Sequence, residues 1–165
     1  MAESIDWWKS IYYRIEDIIA ENNYSSCTIV SPGRRFKRMI YLLHLYNKQI
    51  IKIIDKDLYL QEYYKMFNFI EGDAVFDNIP MEGDLVISCH AEKHYPIYYK
   101  NHIAILHTQP NKPTEGREIE GWLPSNCTTE EHFDNVVERY EFGGYDYVME
   151  NQKGRDNFVL LHIQN

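Results

Sequence analysis

The chain has 165 residues, enough for one domain with a full core, and its 25 acidic against 17 basic side chains give a formal net charge of −8. A surface of that sign repels a phosphate backbone, so nucleic acid is unlikely as a partner unless a strong local basic patch overcomes it. The one dense candidate, Arg34, Arg35, Lys37 and Arg38, reads by itself as a solvated helix face. Three cysteines, Cys27, Cys89 and Cys127, are odd in number and widely spaced, which argues against a disulfide framework and fits a reducing, cytoplasmic compartment.

The opening "MAESIDWWKSIYYRIEDIIAENN" has no basic leader region and no continuous apolar run, so it is expected to be neither signal peptide nor membrane span. Instead Trp8, Ile11, Tyr12, Ile15, Ile18 and Ile19 recur at helical spacing and predict an amphipathic helix over residues 5–21, ended by "NNYSS". "CTIV" is a short β-branched strand. After the Pro32-Gly33 turn, Phe36, Met39, Ile40, Leu43 and Tyr46 make the apolar face of a second helix, closed by Asn47 and Lys48. "QIIKIID" is nearly continuous β-branched sequence, as expected of a strand buried on both sides of a parallel sheet, and it ends in Asp55.

"DLYLQEYYKMF" predicts a further helix, and "NFIEGDAVF" a third strand running into a turn. "GDLVISC" (83–89) and "HIAILHT" (102–108) are two more buried strands. A Pro-rich polar loop covers residues 109–127. Thr128 and Glu131, at capping-box spacing, open the helix "TTEEHFDNVVERY", and "QKGRD" joins "YDYVMEN" to "NFVLLHI" as a hairpin. Alternation of strand and helix implies a parallel sheet with helices on both faces, in a single domain over 1–165. The link between the fourth and fifth strands contains Pro96 and barely accommodates a crossover helix.

This order resembles the class I (Rossmann-like) S-adenosylmethionine-dependent methyltransferase fold, from Ser25 to Ile163. "IVSPG" is similar to the first strand and its glycine turn, and "IKIIDKD" to the second strand with its terminal acid. "IEGDAVF", "GDLVISCHAEKH" and "AILHTQPN" are similar to the third, fourth and fifth strands with their loops. "GGYDYVMENQKGRDNFVLLHI" is similar to the closing hairpin. Within the class the chain looks like small methyltransferase-like proteins of bacteria and phages whose substrates are unknown. The resemblance implies a three-layer α/β sheet, mostly parallel, with an N-terminal helix and a C-terminal antiparallel hairpin, and S-adenosylmethionine as cofactor. Two features depart from it. Ser31, Pro32 and Gly33 stand where the family's first turn is rich in glycine, and the crossover after the fourth strand is short.

In a doubly wound sheet, ligands sit outside the carboxyl ends of the strands. Ser31–Gly33, Asp55, Gly72–Ala74, Ser88–His94 and Thr108–Asn111 reach that edge. A carboxylate at Asp55 is placed to accept both ribose hydroxyls; alternatively Asp55 or Asp57 caps the following helix. Gly33 lets the backbone approach a ligand, or is simply a Pro-Gly turn. Arg34 or Arg35 is available to a methionine carboxylate. Asp73 reaches adenine by the resemblance, or is a solvated turn residue. The resemblance thus implies a cofactor set of Ser31, Pro32, Gly33, Asp55, Asp73, Ala74 and Ser88. Glu92, His90 and His94 cluster where a base for methyl transfer belongs.

Rival chemistries have less support. Cys89, His90 and His94, with His102 or His107, lack the paired spacing of a zinc site, so no metal is expected. No Gly-Lys-Ser/Thr phosphate loop exists to make Arg34, Arg35 and Arg38 part of a nucleotide enzyme. The acidic surface favours a small molecule or a protein as methyl acceptor. The alternative from another class is a catalytically inactive protein of the same fold acting as a binding or structural partner. The glycine-poor turn supports it, as do fourteen tyrosines, a residue type favoured in interfaces, including those of homo-oligomers.

Overall fold

The computed structural model describes residues 2–91, 94, 96–108, 138 and 157–164. Helix α1 (Ala2–Asn22) leads into β1 (Ser26–Val30), followed by α2 (Lys37–Leu45) and β2 (Gln49–Asp55). Then come β3 (Phe69–Glu71), β4 (Leu85–Ser88), β5 (Asn101–Thr108) and β6 (Asn157–Gln164). The loop 109–127, Thr128, Glu131 and most of their helix, the strand "YDYVMEN" and the hairpin turn "QKGRD" lie outside the described residues.

The six strands form one sheet in the order β3-β2-β1-β4-β5-β6. Every neighbouring pair is parallel except the last. There β6 runs antiparallel to β5, from Asn101 opposite Gln164 to Thr108 opposite Asn157. The order reverses between β1 and β4, so the functional edge of a doubly wound sheet falls at their carboxyl ends.

Both described helices end on an asparagine in the left-handed region, Asn23 at φ 56° and Asn47 at φ 63°. In each case the next residue's N–H reaches back to close the last turn: Tyr24 to the Ile19 carbonyl and Lys48 to that of Leu43. Asparagine tolerates this conformation, which explains why "NN" and "NK" stop the helices.

Strand alternation divides the core. On the first face Ile29, Ile53, Ile87 and Ile103 pack with Ile11, Ile15 and Ile18 of α1 and Phe36, Met39 and Ile40 around α2. On the second face Val30, Ile54 and Val86 meet Ala74 and Ile97, with Val75, Ile79, Met81 and Tyr99 against them. Helices α1 and α2 therefore cover the first face, and the crossover segments around 74–81 and 96–99 pack against the second.

The helix expected from "DLYLQEYYKMF" is a 3₁₀ turn, Leu58–Gln61, followed by further turns. The pairing explains the difference. Strand β3 starts opposite Ile53, two residues before β2 ends. The chain has to travel back only about 7 Å, whereas a helix of that length would run about 16 Å. One turn is enough to bury Leu60 and Tyr64 on the first face.

A polar anchor fastens the second-face crossover. Lys52 is 5% exposed, and its ammonium donates to the Pro80 carbonyl and to Glu82 Oε1, both at 2.8 Å. Thr28, its register partner on β1, donates to the Glu82 carbonyl at 2.8 Å. At Gly83 (φ +100°) a Cβ would lie 2.8 Å from Ile51 Cδ1, so the crossover enters β4 through a position that requires glycine.

The two members of the Lys52–Glu82 pair should respond differently to substitution. Glu82→Ala strands a buried ammonium and lowers stability by about 1.5–3 kcal/mol. Lys52→Met removes the charge, keeps the volume and costs less. Urea denaturation of the two variants measures both effects.

Candidate functional site

The turn after β1 combines two left-handed residues, Ser31 at φ 53° and Gly33 at φ 56°, around the buried Pro32. Such a turn needs external support, and it receives it from three directions. The Ser31 N–H donates to the Ile54 carbonyl at 2.7 Å, which fixes the turn to the end of β2. The Gly33 N–H donates to Asp55 Oδ2 at 2.9 Å, and Tyr64 Oη donates to the Gly33 carbonyl at 2.5 Å. On the β4 side, His90 Nδ1 lies 2.7 Å from the Ser31 carbonyl. A carbonyl only accepts, so Nδ1 carries the proton. The His90 ring also stands edge-on to Phe36 at 5.3 Å. A Cβ on Gly33 would come to 3.6 Å from His90 Cε1, so the positive φ rather than crowding is what calls for glycine here.

Asp55 is 7% exposed. Its Oδ1 accepts from the Asp57 N–H at 3.1 Å while Oδ2 holds Gly33. Burial raises its pKa above the ordinary carboxylate range. The N–H groups of Gly33, Asp57 and Lys56 pull the other way, and the nearby Asp57 charge adds to the rise. The acid at the end of β2 therefore bridges two turns: it holds the Gly33 N–H after β1, and it organises the start of the turn after β2.

Asp73 accepts from the Val75 and Phe76 N–H groups at 2.9 Å each and pairs with Lys56 at 3.1 Å. It thus caps the turn after β3 and ties it to the end of β2, and those bonds lower its pKa against its burial. Ala74 packs into the second-face core. Ser88 is fully buried, with its Oγ 2.7 Å from His102 Nε2. His94 is buried too and adds to the forces on His102. Glu92 lies outside the described residues. Ser31, Gly33, Asp55 and His90 are thus brought together at the switch point, while Ser88 and His94 belong to the interior of the second face. Arg34, expected near a ligand carboxylate, lies over the Tyr59 and Tyr63 rings.

Sequence reasoning missed Tyr64. Nothing in the chain pattern shows that its hydroxyl reaches Gly33, 31 residues away.

Among the described residues no group of three or more His, Cys, Asp or Glu is arranged to hold a metal ion. No helix among them is long and apolar enough to cross a membrane.

Comparison with solved structures identifies the framework. The methyltransferase domain of the bacterial protein CtHen1-CN superposes with a TM-score of 0.56 at 11% identity, covering 92% of this chain and 97% of that one. The methyltransferase PaMTH1 of Podospora anserina, solved with S-adenosylhomocysteine bound, gives 0.54 at 11% identity, covering 99% and 87%. Cofactor-bound Rv0187 from MTB gives 0.53 at 10% identity, covering 90% and 77%.

The chain has the class I methyltransferase fold.

No protein-family model and no curated protein matches its sequence. In this methyltransferase fold the Gly33–Asp55 contact joins the first two strand ends and the His90–Ser31 contact joins the first and fourth, so the switch point is closed by side chains rather than by extra glycines.

Asp55→Ala leaves the Gly33 and Asp57 donors unsatisfied and should lower unfolding stability by about 2–3 kcal/mol. Asp55→Asn removes the buried charge while keeping one acceptor and should stay within about 1 kcal/mol of the parent; chemical denaturation distinguishes them. The second-face interior predicts a pH effect. Burial foremost, then His94, pushes the His102 pKa down to about 3 from its ordinary 6.5, against a hydrogen bond to the Ile97 backbone. The unfolded chain takes up this proton first, so the His102 contribution is intact above pH 6.5 and erodes as pH falls toward 3, by up to about 1.4 kcal/mol per pH unit. His102→Asn should flatten the stability profile between about pH 6.5 and 5, above the range where most carboxylates titrate.

Proposed function

We propose that this chain binds S-adenosylmethionine at the edge formed by Ser31, Gly33 and Asp55 and acts as a methyltransferase. The observation that carries the reading is the Asp55 carboxylate held against Gly33 at the switch point of a class I methyltransferase fold. The residues fit the group. A carboxylate has about four lone-pair directions, and the backbone donors around Asp55 leave acceptor capacity for a ribose hydroxyl. Gly33 presents no side chain toward the edge.

Bound there, the cofactor would supply an electrophilic methyl group. Asp55 would orient the sugar. His90, Tyr64 and the Ser31 carbonyl keep the turn in its left-handed shape, so the edge is formed before a ligand arrives. Such preorganisation is what a displacement at carbon needs most, since alignment lowers its barrier.

A second reading rests on the same contact. Both backbone groups of Gly33 are already engaged, its N–H by Asp55 and its carbonyl by Tyr64. A chain that satisfies its own ligand-facing groups has the character of a non-catalytic scaffold. Titration calorimetry with S-adenosylmethionine and S-adenosylhomocysteine separates the two. The enzyme reading expects saturable heat, a raised melting temperature and at least about tenfold weaker binding in Asp55→Asn, the equivalent of one lost hydrogen bond. Absence of both heat and thermal shift for the parent chain leaves the scaffold.

A further inference from the structure

We propose that the face built by Arg34, Lys37, Tyr41, Tyr59 and Tyr63 docks single-stranded nucleic acid. The net charge of −8 disfavours such a partner only where no local patch reverses it. Folding creates that patch by adding aromatic rings that the basic run lacks in sequence. The Arg34 guanidinium carbon lies 5.3 Å from the Tyr59 ring centroid and 5.2 Å from that of Tyr63. The Lys37 ammonium lies 4.8 Å from the Tyr63 centroid and 5.7 Å from that of Tyr41. Tyr59 and Tyr63 meet edge to face at 6.5 Å. Arg34 is exposed and Tyr59 is 54% exposed. None of the ion pairs among the described residues involves Arg34 or Lys37.

The arrangement follows from two separate segments. Arg34, Lys37, Arg38 and Tyr41 share helical spacing, so they line one side of α2 and the turn before it. Tyr59 and Tyr63 come from the crossover after β2. These are the segments that flank Asp55, so a strand on this face runs alongside the switch point.

Chemistry selects the occupant. An acidic peptide would use the cations and leave the rings idle, and a duplex hides its base faces. A single strand uses both elements: phosphates pair with the ammonium and guanidinium, and unstacked bases lie on tyrosine faces or on the planar guanidinium. The acidic remainder of the surface confines the strand to this face.

The test is fluorescence anisotropy of the full chain with a short labelled oligouridylate, its duplex and polyglutamate, across a salt series and without S-adenosylmethionine. Its outcome is therefore separate from cofactor binding at Asp55. The single strand should bind more tightly than the duplex or polyglutamate. Arg34→Ala and Lys37→Ala should each lower the slope of log K against log salt by about 0.7. Tyr59→Leu should weaken binding several-fold with the slope unchanged, and Arg34→Lys, which keeps the charge and loses the planar stack, should behave the same way. Slopes identical in parent and alanine variants, or polyglutamate competing as well as the single strand, would overturn the proposal.

Discussion

A single buried carboxylate holds the switch-point edge of this sheet together. Asp55 sits where β2 ends, almost wholly out of solvent, and joins the turn after β1 to the turn after β2 through the Gly33 and Asp57 N–H groups. Burial makes its charge costly, and the backbone donors offset part of that cost. Losing the acceptor altogether leaves both backbone donors without a partner. That is why the left-handed Ser31 and Gly33 conformations, the Tyr64 hydroxyl and His90 all converge on the same few atoms. The shape of this edge and the fold's stability are one problem here, because the same contacts set the turn's conformation and join the strand ends.

The two faces of the sheet are built differently. Helices α1 and α2 cover the first with an apolar core of isoleucines and aromatics. Among the described residues, the second is covered by the turn at 74–78 and by irregular chain, whose backbone polar groups need partners that a long helix would have supplied internally. Thr28, Lys52 and Tyr99 supply them from the strands and loops, bonding to Glu82, Pro80 and Gly83. The same economy explains Ser88, His94 and His102. A histidine held neutral by burial fills polar space under the short β4–β5 link, and His94, proposed from sequence as a base, takes part in that interior.

An acidic protein with a concentrated basic-aromatic face is also a matter of how segments meet. Arg34 and Lys37 form a plain charge run in the chain. They acquire chemical character only when the crossover after β2 sets Tyr59 and Tyr63 beneath them. The short β3, which pairs with the end of β2, keeps that crossover compact and the tyrosines close to the turn.

Amino-acid pattern alone determined the α/β class, a mostly parallel sheet, the helix stops at Asn23 and Asn47, and the placing of Gly33 and Asp55 at the ends of the first two strands. All of these are local signals: β-branched runs, a 3.6-residue period, left-handed asparagines, and an acid at the end of a buried strand. Tertiary structure alone decided the rest. It replaced an expected helix by the 3₁₀ turn Leu58–Gln61, because register and not propensity set the distance to be crossed. It sent Ser88 and His94 inward and Arg34 onto tyrosine, and it brought Tyr64 to Gly33. Those outcomes depend on contacts between residues far apart in the chain, whose geometry no window of sequence contains.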